Sequence, residues 1–262
     1  MRSVLPGWLC AALVLIPSAG LAQTPPSGHR IFVGIGFLGT SKSMARSREF
    51  TSTSVVFHEI ATKHADYPAP SLANWFPIDV SGGVRLWRVL EANVTYSRLV
   101  YEDLINLDAT IPHPTFLNAS ATGDGTTGAT LTRTESAIHV ALAAVLHAGD
   151  PLEVRLFAGP SFFRYSADMA SDVLYDQTFD TASPVNSITV TGATSQRASG
   201  SAMGFHVGGD FGHTIGKRFD LVGTIRCSWG TVTLDREPLS GLSQQIRVGG
   251  VQGFVGLRIH GG

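Results

Sequence analysis

The sequence predicts an all-β chain, a closed antiparallel β-barrel of eight strands that crosses a membrane with short turns at one end and long loops at the other. Three observations predict it. A period-two alternation of apolar with small or polar residues recurs eight times along the chain. No stretch past residue 30 approaches the 18 or more apolar residues of a membrane-crossing helix. The connections between the alternating segments are by turns long and short.

Composition agrees. Of 262 residues only 15% are charged, where a soluble domain carries about 25%, and the 29 Gly exceed the usual share. With 19 Lys+Arg against 20 Asp+Glu, and only three Lys, the chain lacks the clustered basic excess that phosphate neutralisation needs. No nucleic-acid partner is expected. The length suits one β domain and leaves little room for two.

Residues 1–22 read as a cleaved signal peptide. Arg2 supplies the positive start, Trp8–Ile16 is an unbroken apolar run, and Gly20-Leu21-Ala22 offers small residues for cleavage after Ala22. That run is less than half the ~20 residues of an anchoring helix. Cleavage removes Arg2 and Cys10, leaving 18 basic against 20 acidic groups and Cys227 as the single cysteine, so no internal disulfide is possible. Residues 23–29 read as a short periplasmic segment and 30–262 as the barrel domain.

Each of the eight segments has two distinct faces. The first, 30–42, alternates Ile31, Val33, Ile35 and Phe37 with glycines. The second, 76–88, sets Ile78, Val80, Val84 and Leu86 against Asp79, Ser81, Gly83 and Arg85. The third, 91–103, sets Ala92, Val94, Tyr96 and Val100 against Asn93, Thr95 and Ser97. The fourth, 134–147, sets Ile138, Val140, Leu142 and Ala144 against His139, Ala141 and Ala143. In the fifth, 152–165, Leu152, Val154, Leu156, Ala158 and Phe162 oppose Glu153, Arg155, Gly159 and Ser161. In the sixth, 200–215, Met203, Phe205, Val207 and Phe211 oppose His206, Gly208 and Asp210. The seventh, 219–234, places Leu221, Ile225, Cys227 and Trp229 opposite Thr224, Arg226 and Ser228. The eighth, 246–260, places Val251, Val255, Leu257 and Ile259 opposite Gln252, Gly256 and Arg258. Eight is an even count, as single-chain bacterial barrels require.

The connections at 89–90, 148–151 and 216–218 are tight turns, with Gly149-Asp150-Pro151 and Gly216-Lys217 as turn formers. Those at 43–75, 104–133, 166–199 and 235–245 are long. Short periplasmic turns and long extracellular loops have this pattern. A soluble exported barrel shares the period, but its outer face would carry a coat of charge, and here the polar faces are mostly Gly, Ser, Thr, Asn and Ala. Trp75, Trp87, Tyr96, Tyr101, Phe162, Tyr165, Phe219 and Trp229 fall near segment ends, as aromatic girdles do. The alternation at 52–60 and at 187–191 leaves open strands extended beyond the membrane, an additional hairpin, and a ten-strand count.

Together, the export signal, the alternating segments and the loop asymmetry resemble the small eight-stranded bacterial outer-membrane barrels. They are similar to the transmembrane domain of outer membrane protein A and the opacity-like superfamily. The resemblance covers nearly all of residues 30–262 and is one of pattern. It implies a bacterial outer-membrane location, lipid and the barrel-assembly machinery as partners, and no cofactor. Such barrels commonly end in an aromatic residue, whereas this chain ends Arg258-Ile259-His260-Gly261-Gly262, with Phe254 and Val255 keeping the alternation upstream.

On the lumen side the alternation aligns Asp79, Arg85, Glu153, Arg155, Asp210, Arg226 and Arg258. An eight-stranded barrel is just wide enough to be filled by side chains. These charges are therefore expected to pair as a structural network that plugs the lumen, giving an envelope-structural or surface-interaction protein. A narrow channel for small solutes or ions lined by the same residues is the alternative. A lipid-modifying enzyme comes third. His139 lies three residues after Ser136, His206 shares a face with Asp210, and Asp210 and His213 are separated by two residues, but none matches a Ser-His or Asp-His catalytic pattern. His58 and His64 lack the spacing of a helical zinc pair, so no metal or catalytic residue is assigned. Among the loops, Thr122-Gly-Asp-Gly-Thr-Thr-Gly128 reads as a flexible polar tract, and Asp168, Asp172, Asp176 and Asp180 interleave with Tyr175 and Phe179. Both read as mobile loops, with a weak cation or host-surface contact as the functional option. The ligand is not legible.

Overall fold

The computed structural model describes residues 31–43, 48–67, 78–87, 89–126, 131–149, 151–215, 218–234 and 243–261. The signal-peptide reading, Trp75 and most of the 235–245 connection lie outside them. Twelve strands form: β1 (Ile31–Ser43), β2 (Arg48–Val56), β3 (Glu59–Tyr67), β4 (Ile78–Arg85), β5 (Leu90–Asp103), β6 (Asn106–Pro112), β7 (Ser120–Thr126), β8 (Leu131–Gly149), β9 (Leu152–Phe179), β10 (Asn186–Ile215), β11 (Phe219–Leu234) and β12 (Gln244–Gly261).

Eight of them make a closed antiparallel barrel in the order β1-β12-β11-β10-β9-β8-β5-β4, closed because β1 pairs with both β12 and β4. Closure leaves the barrel no free sheet edge, the condition for crossing lipid without helices. No described helix is long and apolar enough to cross a membrane. Each of the eight sequence segments contributes one of these strands, with β9 and β10 running well past the segments 152–165 and 200–215.

The period-two pattern sorts the side chains as read. Ile31, Val33, Ile35, Val94, Ile138, Leu142, Phe205, Ile225, Val251 and Ile259 are exposed on the outer wall, while Asp79, His139, Arg155, His206, Asp210, Arg226 and Arg258 are buried inside. An apolar exterior around a polar interior inverts the arrangement of a soluble barrel. Trp87, Tyr96, Phe162, Phe219 and Trp229 lie outside as girdle residues would. Tyr101 and Tyr165, also expected there, are buried inside, because their odd register places them on the lumen face with Leu99 and Phe163.

Among the described residues, much of the first three long connections is folded into strands. Residues 48–67 form the hairpin β2–β3, turned by Phe57 and His58 at φ 51 and 67. Together with β6 and β7 it makes a separate four-stranded sheet, in the order β2-β3-β6-β7, outside the barrel. The possible additional hairpin thus exists, yet the barrel keeps eight strands. β9 and β10 continue past the barrel as one long ladder, and Ser187–Thr191 lies within it. The polar tract at 122–128 enters β7, where the glycines serve contact and not flexibility. A Cβ on Gly123 would lie 2.4 Å from the Ile188 carbonyl oxygen, and one on Gly125 3.1 Å from the Val190 side chain.

An apolar core joins the two sheets and runs down into the barrel mouth. It includes Ala61, Ala65, Leu107, Ile111, Met169, Val173 and Ile188 in the outer part, and Ala137, Phe163, Val232, Ile246 and Val248 in the barrel.

Candidate functional site

Six strands of the barrel carry the charged side chains of the lumen, and register sets which of them face one another. Asp210 is opposite Arg155, Asp220 is opposite Arg258, Arg226 is opposite Gln252, and Arg85 is opposite Glu91. The Arg155 guanidinium donates to Glu153 at 2.6 Å and to Glu91 at 2.8 Å. Arg226 donates to Asp79 at 2.7 Å and to Gln252 at 2.8 and 3.0 Å. Arg258 donates to Asp210, which also accepts from the Thr224 hydroxyl at 2.8 Å. Arg85 is 3.6 Å from Glu153. All seven residues aligned by the sequence therefore engage an opposite charge.

Glu91 completes them, and it makes the count of arginines and carboxylates in this network equal at four each. Its parity with Asn93, Thr95 and Ser97 carried the signal, but its place at the turn made it read as a strand end. Asp220 and His260 form a further pair at 2.6 Å near the same end of the barrel.

Aromatic rings occupy what the charges leave. Arg155 and Arg258 both lie over the Phe32 ring, at 4.8 and 4.7 Å from its centroid, and Arg226 lies 5.2 Å from that of Phe254. These are cation–π distances. Small residues make room for them: a Cβ on Gly83 would lie 2.3 Å from Phe32, one on Gly208 2.6 Å from Phe157, and ones on Gly204 and Gly230 2.9 and 2.8 Å from Phe163. The inward glycines are thus complements of inward phenylalanines. A cavity of about 40 Å³ remains, lined by Asp79, Asn93, His206, Asp210, Arg226 and Arg258 among others. At about 10–15 Å³ per water, it has room for a few waters only.

One layer further out, a buried hydrogen-bonded chain crosses the lumen. Ser97 Oγ is 3.2 Å from His139 Nε2, His139 Nδ1 is 2.8 Å from Ser161 Oγ, and Ser161 Oγ is 2.9 Å from His206 Nδ1. Ser136 is on the opposite face of its strand and takes no part. His213, likewise, is exposed outside, away from Asp210. No group of three potential metal ligands exists among the described residues.

Outside the membrane three of the four interleaved aspartates are individually engaged. Asp168 binds Arg197 at 3.0 Å, and Asp172 binds Lys63 of β3. Asp180 accepts from the Ala182 N–H at 2.9 Å and the Ser183 hydroxyl at 2.8 Å, and those bonds hold its carboxyl below the usual carboxylate range. Buried His113 ties the β6–β7 loop to this turn. Its Nδ1 accepts from the Thr115 and Phe116 N–H groups, and its Nε2 donates to the Asp180 carbonyl at 3.0 Å. Nothing in the sequence distinguished His113 from the other loop histidines.

A closed eight-stranded antiparallel barrel with an apolar wall and a polar interior is a membrane-spanning barrel of the bacterial outer-membrane type. No protein-family model matches the chain, and no curated protein matches it. Among solved structures it is similar to Neisserial surface protein A, at 14% identity and a TM-score of 0.40, over 87% of this chain and 96% of that one. It is similar also to Ail, the attachment invasion locus protein of Yersinia pestis, solved with the heparin analogue sucrose octasulfate. There the identity is 8% and the TM-score 0.35, over 89% and 99% of the two chains.

Proposed function

We propose that this protein is an outer-membrane barrel that acts at the cell surface through its folded cap and passes nothing through its lumen. The observation that carries the reading is the continuous apolar core, which fastens the β2-β3-β6-β7 sheet to the β9–β10 ladder and reaches down to Phe163, Val232 and Val248 in the barrel mouth. A transport channel gains nothing from burying its outer entrance under such a core. A surface module gains a rigid platform.

The lumen supports the same reading. Four arginines balanced by four carboxylates present no net charge to select an ion, and Arg155, Arg226 and Arg258 are buried against the rings of Phe32 and Phe254. Charges so placed fix the barrel by requiring one another, since an uncompensated buried ion is heavily penalised. The network is a structural plug in this account, with no catalytic residue and no cofactor. Lipid surrounds the wall, and the barrel-assembly machinery inserts it.

Planar-bilayer conductance of the refolded mature chain tests this, with an unboiled gel to establish folding. The expected result is a folded, heat-modifiable band without current steps. Reproducible steps from the folded protein would replace the plug by the channel, with Arg85, Arg155, Arg226 and Arg258 as its lining.

A further inference from the structure

The outer wall changes character along one line. Tyr96, Ile138, Phe162 and Met203 are directly paired across β5, β8, β9 and β10, and all four are exposed and apolar. Two residues further towards the cap, the outward row becomes Arg98, Ser136, Arg164 and Ser201 in the same register. The row beyond that is Val100, Thr134, Ser166 and Ser199. Below the line the outward residues of β5 are Leu90, Ala92, Val94 and Tyr96, and those of β9 are Leu152, Val154, Leu156, Ala158, Pro160 and Phe162. Below this line the wall offers apolar side chains and above it polar ones, the change expected at the outer edge of the hydrocarbon.

Arg98 and Arg164 are both exposed at that edge, two strands apart with the small Ser136 between them. At about 4.8 Å per strand their backbones stand about 10 Å apart. Neither guanidinium has a hydrogen-bond or ion partner among the described residues, in contrast to the paired arginines of the lumen. The nearest outward carboxylate along β9, Asp168, is already taken by Arg197. A guanidinium fork matches phosphate oxygens bidentately, and hydroxyls of Ser136, Thr134 and Ser201 offer further donors.

The geometry points to a lipid-headgroup site here: Arg98 and Arg164 clamp a phosphate of an outer-leaflet lipid whose acyl chains lie along Tyr96, Ile138, Phe162 and Met203. This inference rests on the reading of the barrel as membrane-spanning. Phosphate positioned by two arginines and chains laid against an apolar row are one ligand, which is why a free phosphate is not the occupant. The site would seat the barrel at a fixed depth beneath the cap.

Native mass spectrometry of the mature chain in a neutral maltoside detergent tests it, with bisphosphorylated lipid A and the same lipid stripped of phosphate as probes. The unboiled gel band reports folding independently, so loss of the band sinks the barrel reading and not merely the site. The folded protein is expected to retain the phosphorylated lipid at least ten-fold better than the stripped one. Arg98→Gln and Arg164→Gln should each weaken that preference, and the double variant should abolish it, while Arg197→Gln leaves it intact. Equal retention of both probes, undiminished preference in the double variant, or full displacement by millimolar inorganic phosphate would each overturn the assignment.

Discussion

Arg226 reaches Asp79 and Gln252 across a barrel interior in which its own side chain is 2% exposed and that of Asp79 10%. Arg226→Ala strands Asp79 and is expected to cost about 3–5 kcal/mol. The folded band on an unboiled gel should then disappear at a lower temperature, and unchanged melting would contradict the pairing role. Asp180 works differently, at the distal turn. Its carboxylate is stabilised by the folded turn, so its contribution is fully present above the ordinary value of 3.8 and is lost as pH falls through its lower folded value. The protection of the Ala182 amide, taken relative to its intrinsic exchange rate at each pH, should therefore be unchanged from pH 7 to 5 and fall only in stronger acid. Asp180→Ala should show the lowered protection already at neutral pH.

At the scale of elements, the β2–β3 turn places Phe57 and His58 in the left-handed region, which Asn-Gly occupies with far less penalty. Replacing the pair by Asn-Gly is expected to stabilise the hairpin by about 1 kcal/mol. Amide exchange across Thr51–His64 should slow about five-fold; no slowing would mean that the turn is not strained. In β7 the close approach of Gly123 to Ile188 requires the absence of a side chain. Gly123→Val should detach β7 from β10 and expose 120–126 to protease while leaving the barrel's heat-modifiable band in place.

These two elements also show where the sequence stopped being legible. The barrel strands were readable because lipid on one side and a filled lumen on the other enforce a strict period of two over each of them. Lumen charges followed from parity alone, down to Arg258 at the last strand. The cap obeys weaker rules. Its strands are short and their faces mix Thr, Ser, Gly and Ala, so that the glycine-rich tract of β7 looked like a flexible loop. The pairing that joins its two hairpins, β3 with β6, depends on contacts between residues about forty or more apart, such as Thr62 with Thr110, which no local pattern records. Parity also placed Tyr101 and Tyr165 inside, where position near a strand end had suggested the girdle.

Over the whole molecule, the barrel and the cap share one core, and the account stands or falls on the cap being folded. Hydrogen exchange of the refolded protein in lipid, read at residues 60–66, 107–111, 169–175 and 188–190, is the most direct measurement. These backbone amides should be protected to within about an order of magnitude of those in the barrel strands. Exchange as fast as that of an unstructured loop, in a protein whose barrel amides stay protected, would contradict the folded surface platform and return these segments to the role of mobile loops.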